Sequence, residues 1–289
     1  MEIQWYPGHM VKAKKLIRQN LSLVDVVIEL VDARIPLSSR NPDMQPLLSS
    51  RPRLLVLNKE DLAAPDKTRA WCAYFRDQGT PAIALNSTAG KGMGQVITIA
   101  SALAEDKMEN LRSRGRRERA IRAMVVGIPN VGKSAFINSL TKRSVALVGN
   151  KPGVTRGKQW IRINNGFELL DTPGILWPKF EDPEVGLKLA VTGAVSDLVY
   201  DLEEVGVRLI SLLTRVAPEA LQSRYLVDPV ARDEVEAYEL LKEIGRRRGF
   251  LQAGSQVNTV KAAYMVIQEF RDGKIGRITL DEVPSSSRR

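Results

Sequence analysis

Residues 127–134 read GIPNVGKS, which matches the phosphate-cradling pattern G-x-x-x-x-G-K-[ST]. The apolar run Ile121 to Val126 precedes the match and a helical pattern starts near Lys133, so the motif has the strand, loop and helix setting its chemistry needs. There the backbone N–H groups of Asn130, Val131, Gly132, Lys133, Ser134 and Ala135 are expected at the positive end of the helix, facing phosphates. Lys133 is expected to pair with β- and γ-phosphate oxygens, and the Ser134 hydroxyl to ligate Mg²⁺. The fixed positions of the pattern arise by chance on the order of once per hundred chains of this length. The stretch therefore sets the expectation of an α/β nucleotide-binding fold.

Working outward from the loop, LLDTPG follows the strand Phe167 to Leu170. It brings Asp171 to the place of a metal-side carboxylate and the Gly174 N–H within reach of a γ-phosphate. Between the two motifs, NKPGVTRGKQW offers Thr155 as a second hydroxyl for Mg²⁺, in a loop ordered by the γ-phosphate. About seventy residues before the phosphate loop, LNKEDL follows the apolar run RLLVL. Asn58 is placed to bond a purine N7 and the Lys59 stem to cover the ring face. The Asp61 carboxylate is placed to accept from the paired N1–H and N2–H₂ donors of guanine. Adenine has no such donor pair on that edge, so GTP and GDP are expected rather than ATP. In LNSTAGKG, Asn86, Ser87 and Thr88 form the neighbouring loop, whose backbone is expected near guanine O6.

The base-reading motif comes before the phosphate loop, the reverse of the order in Ras-type enzymes. Base readers at 58 and 87, then phosphate loop, switch threonine and metal aspartate form a complete set that has been cyclically rotated. Such a rotation is feasible where the old termini lie close together and a linker joins them. The basic segment 108–120 is assigned as that linker. The overlapping basic run RSRGRRERAIR, Arg112 to Arg122, has two readings that stay open: a solvated linker or helix face, and a contact to an RNA backbone.

Short apolar runs alternate with helical patterns through the first 175 residues or so, which predicts a mostly parallel sheet flanked by helices. Strands are expected at Val24–Val31, Arg53–Leu57, Ala82–Asn86, Ile121–Val126, Gln159–Ile163 and Phe167–Asp171. After DTPGILWP the pattern turns to long amphipathic helices, so a GTPase domain over 1–176 and an all-helical domain over 177–289 are expected. In that second part, SQVNTVKAAYMVIQEF puts Val257, Val260, Tyr264, Ile267 and Phe270 on one face, and Gly273 offers a stop. Asp233, with Glu236 three residues on, predicts a capped helix start.

The chain has 289 residues, 44% of them hydrophobic, enough for one large domain or two ordinary ones. Even DVVIELVDARI is broken by Asp25, Glu29 and Asp32, so no run reaches the length of a membrane span. The N-terminal stretch MEIQWYPGHM has no signal or transit character, and a cytoplasmic protein is expected. A single cysteine, Cys72, excludes an internal disulfide and a cysteine-rich zinc site; within TRAWCAYF it reads as a buried helical thiol. The formal charge of +10 points to a polyanionic partner, with nucleic acid leading.

Together WYPGHM, DARIPLSSRNP, LNKEDL, GIPNVGKS, KPGVTRG, DTPG and KLAVTGAV, spread over about the first two hundred residues, resemble the circularly permuted ribosome-assembly GTPases, in particular the bacterial ribosome biogenesis GTPase A family. The resemblance implies a role in assembly of the large ribosomal subunit, a Mg²⁺- and GTP-dependent cycle, and a helical C-terminal domain contacting ribosomal RNA. It also implies a precursor of the large subunit and its rRNA as partners; neither membrane nor DNA is expected, and a monomer is. A rival reading is a GTP-gated RNA- or protein-binding switch with negligible hydrolysis.

Ras-type enzymes place a glutamine just after the D-x-x-G glycine to orient the attacking water. Here that position is Ile175, so slow intrinsic hydrolysis is expected, with the missing group supplied from elsewhere. His9, the only histidine of the chain, follows a Pro-Gly turn and is one candidate; the resemblance implies a catalytic role for it, and a helix cap or packing near Trp5 is the plainer reading. Asn130 occupies the phosphate-loop position that resembles the K⁺-coordinating asparagine of potassium-activated GTPases, and an ordinary loop asparagine is its alternative. Lys12, Lys14, Lys15, Arg18, Arg246 to Arg248 and the closing SSSRR are candidate RNA contacts or solvated charge.

Overall fold

The computed structural model describes residues 15, 17–116, 119–142, 159–164, 166–172, 174, 176, 180 and 182–284. It contains two compact units. The first is built on a six-stranded sheet of β1 (Val26–Asp32), β2 (Arg53–Asn58), β3 (Ala82–Leu85), β4 (Ile121–Gly127), β5 (Gln159–Asn164) and β6 (Phe167–Asp171). The spatial order is β3-β2-β1-β4-β6-β5. All pairings are parallel except the β5–β6 hairpin, so each expected strand is present in a mostly parallel sheet.

Every residue of β1 is buried, the near-continuous apolar pattern of a parallel strand covered on both faces. Helices α1 (Pro65–Asp77), α2 (Met93–Ser113) and α3 (Lys133–Thr141) flank the sheet, and Ile17, Leu21, Met44 and Leu48 pack with Val27 of β1. α1 packs Trp71 and Phe75, stacked at 5.3 Å between ring centroids, into a cluster with Val31, Leu55 and Leu57. α2 buries Met93, Val96, Ala100, Ala104 and Met108, a stripe at steps of three and four. Because α2 runs to Ser113, the first half of the expected linker 108–120 is helix, with Met108 in the core rather than in a free connection.

The basic segment is tied down at its end. Arg119 makes two bonds to the buried Asp25 carboxylate, at 2.7 and 2.9 Å, and Lys107 reaches the same group at 2.7 Å. Arg122 lies over the Trp160 ring and 3.4 Å from Glu168. These two arginines therefore serve the fold, while Arg114 and Arg116 are exposed.

The helical unit, Phe180–Leu280, comprises α4 (Pro183–Val191), α5 (Leu202–Val216), α6 (Pro218–Tyr225), α7 (Glu234–Arg247) and α8 (Thr259–Arg271). Asp233 caps α7 by accepting from the Glu236 N–H, as its sequence predicts. Arg271 donates to the carbonyls of Ala190 and Val191 at the end of α4 and pairs with Asp197 at 2.7 Å, which fixes the KLAVTGAV segment. The expected apolar face of α8 is corrected: Ala262, Ala263, Val266, Ile267 and Phe270 are buried, whereas Val260 is 51% and Tyr264 49% exposed. Close approach selects the alanines, since a Cβ on Gly206 of α5 would run into Ala263.

The last described residues leave the helical unit. Asp281 to Pro284 belong to the α/β unit, where the Asp281 carboxylate accepts from Leu37 N–H and Ser38 N–H, both at 2.8 Å, and from the Ser38 hydroxyl at 2.7 Å.

Candidate functional site

The parallel pairing puts the carboxyl ends of β1, β2, β3 and β4 along one sheet edge, where open α/β sheets hold ligands. In register, Asp32 lies beside Asn58, Asn58 beside Leu85, and Leu30 beside Gly127. The three loops that the sequence assigned to one ligand thus start from one edge of the sheet, two of them from the adjacent β3 and β2 and the phosphate loop from β4, with β1 between.

The phosphate loop leaves β4 at Gly127 and enters α3 at Lys133. Asn130 (φ 57°) and Gly132 (φ 97°) both take left-handed backbone conformations, which curls successive N–H groups toward one side as in an anion nest. A Cβ on Gly132 would meet the Asn58 amide nitrogen, so glycine is required there for space as well as for φ. Lys133 folds across the loop and its Nζ donates to Ile128 O at 2.8 Å and Gly127 O at 3.1 Å. Ser134 and Ala135 follow in the first turn of α3.

Gly174 comes against this loop: a Cβ added to it would lie 2.9 Å from Lys133 Nζ and from Pro129. Asp171 ends β6, and the Thr172 hydroxyl next to it donates to Val125 O at 2.5 Å, locking the end of β6 to β4. Sequence reasoning passed over Thr172. The D-T-P-G spacing marks the aspartate and glycine, but only the sheet shows that the threonine is wholly buried.

At the base side, Asn58 is a bridge. Its Nδ2 donates to Val131 O at 2.7 Å, while its Oδ1 accepts from the Ser87 hydroxyl at 2.7 Å and the Ser87 N–H at 3.1 Å. It therefore joins the base loop, the phosphate loop and the loop after β3, a role that the expected N7 contact did not anticipate. Asp61 is exposed on the short turn Glu60–Leu62. Thr88 N–H and Ala89 N–H both donate to Asn86 Oδ1, so of the backbone expected near guanine O6, Thr88 N–H is engaged within the loop and Ser87 N–H on Asn58.

Asp32 is the residue the sequence reading left without a role. Its carboxylate takes the Arg34 guanidinium at 2.8 and 2.9 Å and the Lys59 Nζ at 3.0 Å. Burial works to raise its pKa, yet the charges of Arg34 and Lys59 hold it well below the usual carboxylate range. His9, Thr155 and Ile175 lie outside the described residues, as do Lys12, Lys14 and SSSRR. Of the other expected RNA contacts, Lys15, Arg18 and Arg246 are exposed. Arg247 pairs with Glu243, and Arg248 lies over the Tyr225 ring. Burial pushes the Cys72 thiol up to about 11, which keeps it a packing group. Among the described residues, no helix is long and apolar enough to cross a membrane.

Comparison with known proteins places this geometry. A family model described as a 50S ribosome-binding GTPase matches residues 122–224, beginning at the strand that carries the phosphate loop. The ribosome biogenesis GTPase A of Bacillus cereus is 47% identical over 281 residues, covering 97% of this chain and 94% of its own. That of Priestia megaterium is 47% identical over 283 residues, covering 98% and 97%. Among solved structures, GNP-bound YlqF from T. maritima superposes with a TM-score of 0.67 at 25% identity, over 94% of this chain and 98% of that one.

Proposed function

Because the chain belongs to the ribosome biogenesis GTPase A family, we propose that it binds and hydrolyses GTP as a timed step in assembly of the large ribosomal subunit, on a precursor particle and its rRNA. Support comes most directly from Asn58, whose amide ties Val131 of the phosphate loop to Ser87 of the neighbouring loop. A guanine read by Asp61 would thereby be registered against the phosphate loop.

In this reading the backbone of Asn130 to Ala135 binds the phosphates, and Lys133 exchanges its loop carbonyls for β- and γ-phosphate oxygens. The donor set also suits Mg²⁺, a hard cation that takes oxygen ligands: Ser134 lies in the first turn of α3, and β6, parallel to β4, delivers Asp171 to the same sheet edge. Ser134, Asp171 and Thr155 would hold the ion, which neutralises charge on the transferred phosphoryl group. Asn130, already in a left-handed turn, is the residue proposed to hold K⁺, and His9 the one proposed to orient water in place of the glutamine that Ile175 replaces. The +10 charge suits a large RNA particle.

Competition of GTP against ATP for the purified chain tests the base assignment. GTP is expected to win, and Asp61→Ala to lose most of that preference; equal competition by ATP in the unmodified chain would overturn it.

A further inference from the structure

Lys59 carries the ring-covering role in the base site, but a lysine side chain is a flexible four-carbon stem and loses substantial rotamer freedom when held flat. Here both ends of the stem are fixed. Its backbone is left-handed at φ 61°, ψ 38°, and its ammonium lies 3.0 Å from Asp32 Oδ2. Asp32 comes from β1, twenty-seven residues earlier, and is itself immobilised: Oδ1 accepts from Arg34 N–H and Nε, and Oδ2 accepts from Arg34 Nη2. The Asp32 N–H donates to the Ser39 hydroxyl. Asp32 and Arg34 are each 1% exposed, whereas the Lys59 side chain remains 24% exposed, so the anchor is buried while the stem stays partly accessible.

We infer that Asp32 is a positioning residue for the guanine site: held rigid by Arg34, it fixes the Lys59 ammonium so that the stem is already extended when a purine ring arrives. The assignment rests on the base-site reading of Asn58, Lys59 and Asp61. Preorganisation of this kind raises affinity by removing an ordering cost from binding, with no new contact to the ligand. A plainer role, in which Asp32 serves only to neutralise the buried Arg34, predicts a folding defect with no link to Lys59.

The two are separated by titrating fluorescent N-methylanthraniloyl-GDP and -ADP into the full chain and into Asp32→Asn, Lys59→Met, their double variant and Asp61→Ala. Methionine keeps an apolar stem of similar length without the ammonium. Asp32→Asn and Lys59→Met are each expected to weaken GDP binding about tenfold, and the double variant also about tenfold, because both break one interaction. A double variant weakened about a hundredfold, as for independent sites, would overturn the inference. Should Asp32→Asn not fold, Lys59→Met, which leaves the Asp32–Arg34 pair intact, decides alone; unchanged GDP affinity there sinks the idea. Asp61→Ala reads the underlying site separately. If it keeps the full preference for GDP over ADP, the base-site reading fails and takes this inference with it; if it loses that preference while Asp32 and Lys59 remain uncoupled, only the positioning role fails.

Discussion

Asp25, Glu29 and Asp32 lie within the eight residues of β1 and its approach, and each is buried with cationic partners: Asp25 with Arg119 and Lys107, Glu29 with Arg40 and Arg53, Asp32 with Arg34 and Lys59. A buried carboxylate persists only when paired and hydrogen-bonded. For Asp25, burial alone would raise the pKa, but the Arg119 and Lys107 side chains and the Arg122 N–H bring it down to about 2. The folded value lies below the ordinary 3.8, so the stabilisation is fully present above that value and is lost as pH falls toward 2. Asp25→Asn is expected to cost about 2 kcal/mol near neutral pH and to flatten the acid limb of a denaturation series; an unchanged limb would contradict the assignment. In the sequence these three charges show only that the run cannot span a membrane. Arg34 is only two residues from Asp32, but Lys107, Arg119, Arg53 and Lys59 come from other segments, so those pairings became legible only with the sheet register, whereas the motifs that contain Lys133, Asn58 and Asp61 stand out by local spacing alone.

At the scale of elements, the phosphate loop and the returning C-terminal segment make opposite demands on side chains. Gly132 has no room for a Cβ beside Asn58; Gly132→Ala is expected to cost about 2 kcal/mol through strain in the left-handed region and to weaken nucleotide binding, read by chemical denaturation and by titration. Asp281, in contrast, is needed for its oxygens, which satisfy two backbone N–H groups and one hydroxyl. Asp281→Ala leaves those donors unpaired, and a loss of about 2–4 kcal/mol is expected; a stability equal to that of the unmodified chain would show that water replaces the carboxylate. All six strands and the Asp233 cap were legible from apolar runs and capping chemistry. The buried face of α8 was not, because periodicity gives weight to large apolar residues while tight packing selects Ala263 against Gly206 of α5 and Ala262 against Gly245 of α7. Nor was the return of the chain at Asp281, whose neighbours in the sequence carry no local signal for it.

For the whole molecule, the order of motifs carried the architecture: a base-reading loop ahead of the phosphate loop implied a rotated GTPase, and β1 and β4 lie side by side although the chain between them is long. The +10 charge did not reveal which cations face a partner, since Arg119, Arg122, Arg247 and Arg271 are engaged within the fold. With isoleucine at the position of the water-orienting glutamine, turnover is expected to be slow until the particle supplies or orders the missing group. Replacing K⁺ by Na⁺ is expected to lower turnover if Asn130 holds a monovalent ion, and equal rates in the two salts would remove that role. The most direct test of the account is GTP turnover by the purified chain in K⁺ buffer, alone and with isolated large ribosomal subunits. Strong stimulation by the large subunit is the predicted result; normal GTP binding with no stimulation would contradict it and favour a binding switch that does not depend on hydrolysis.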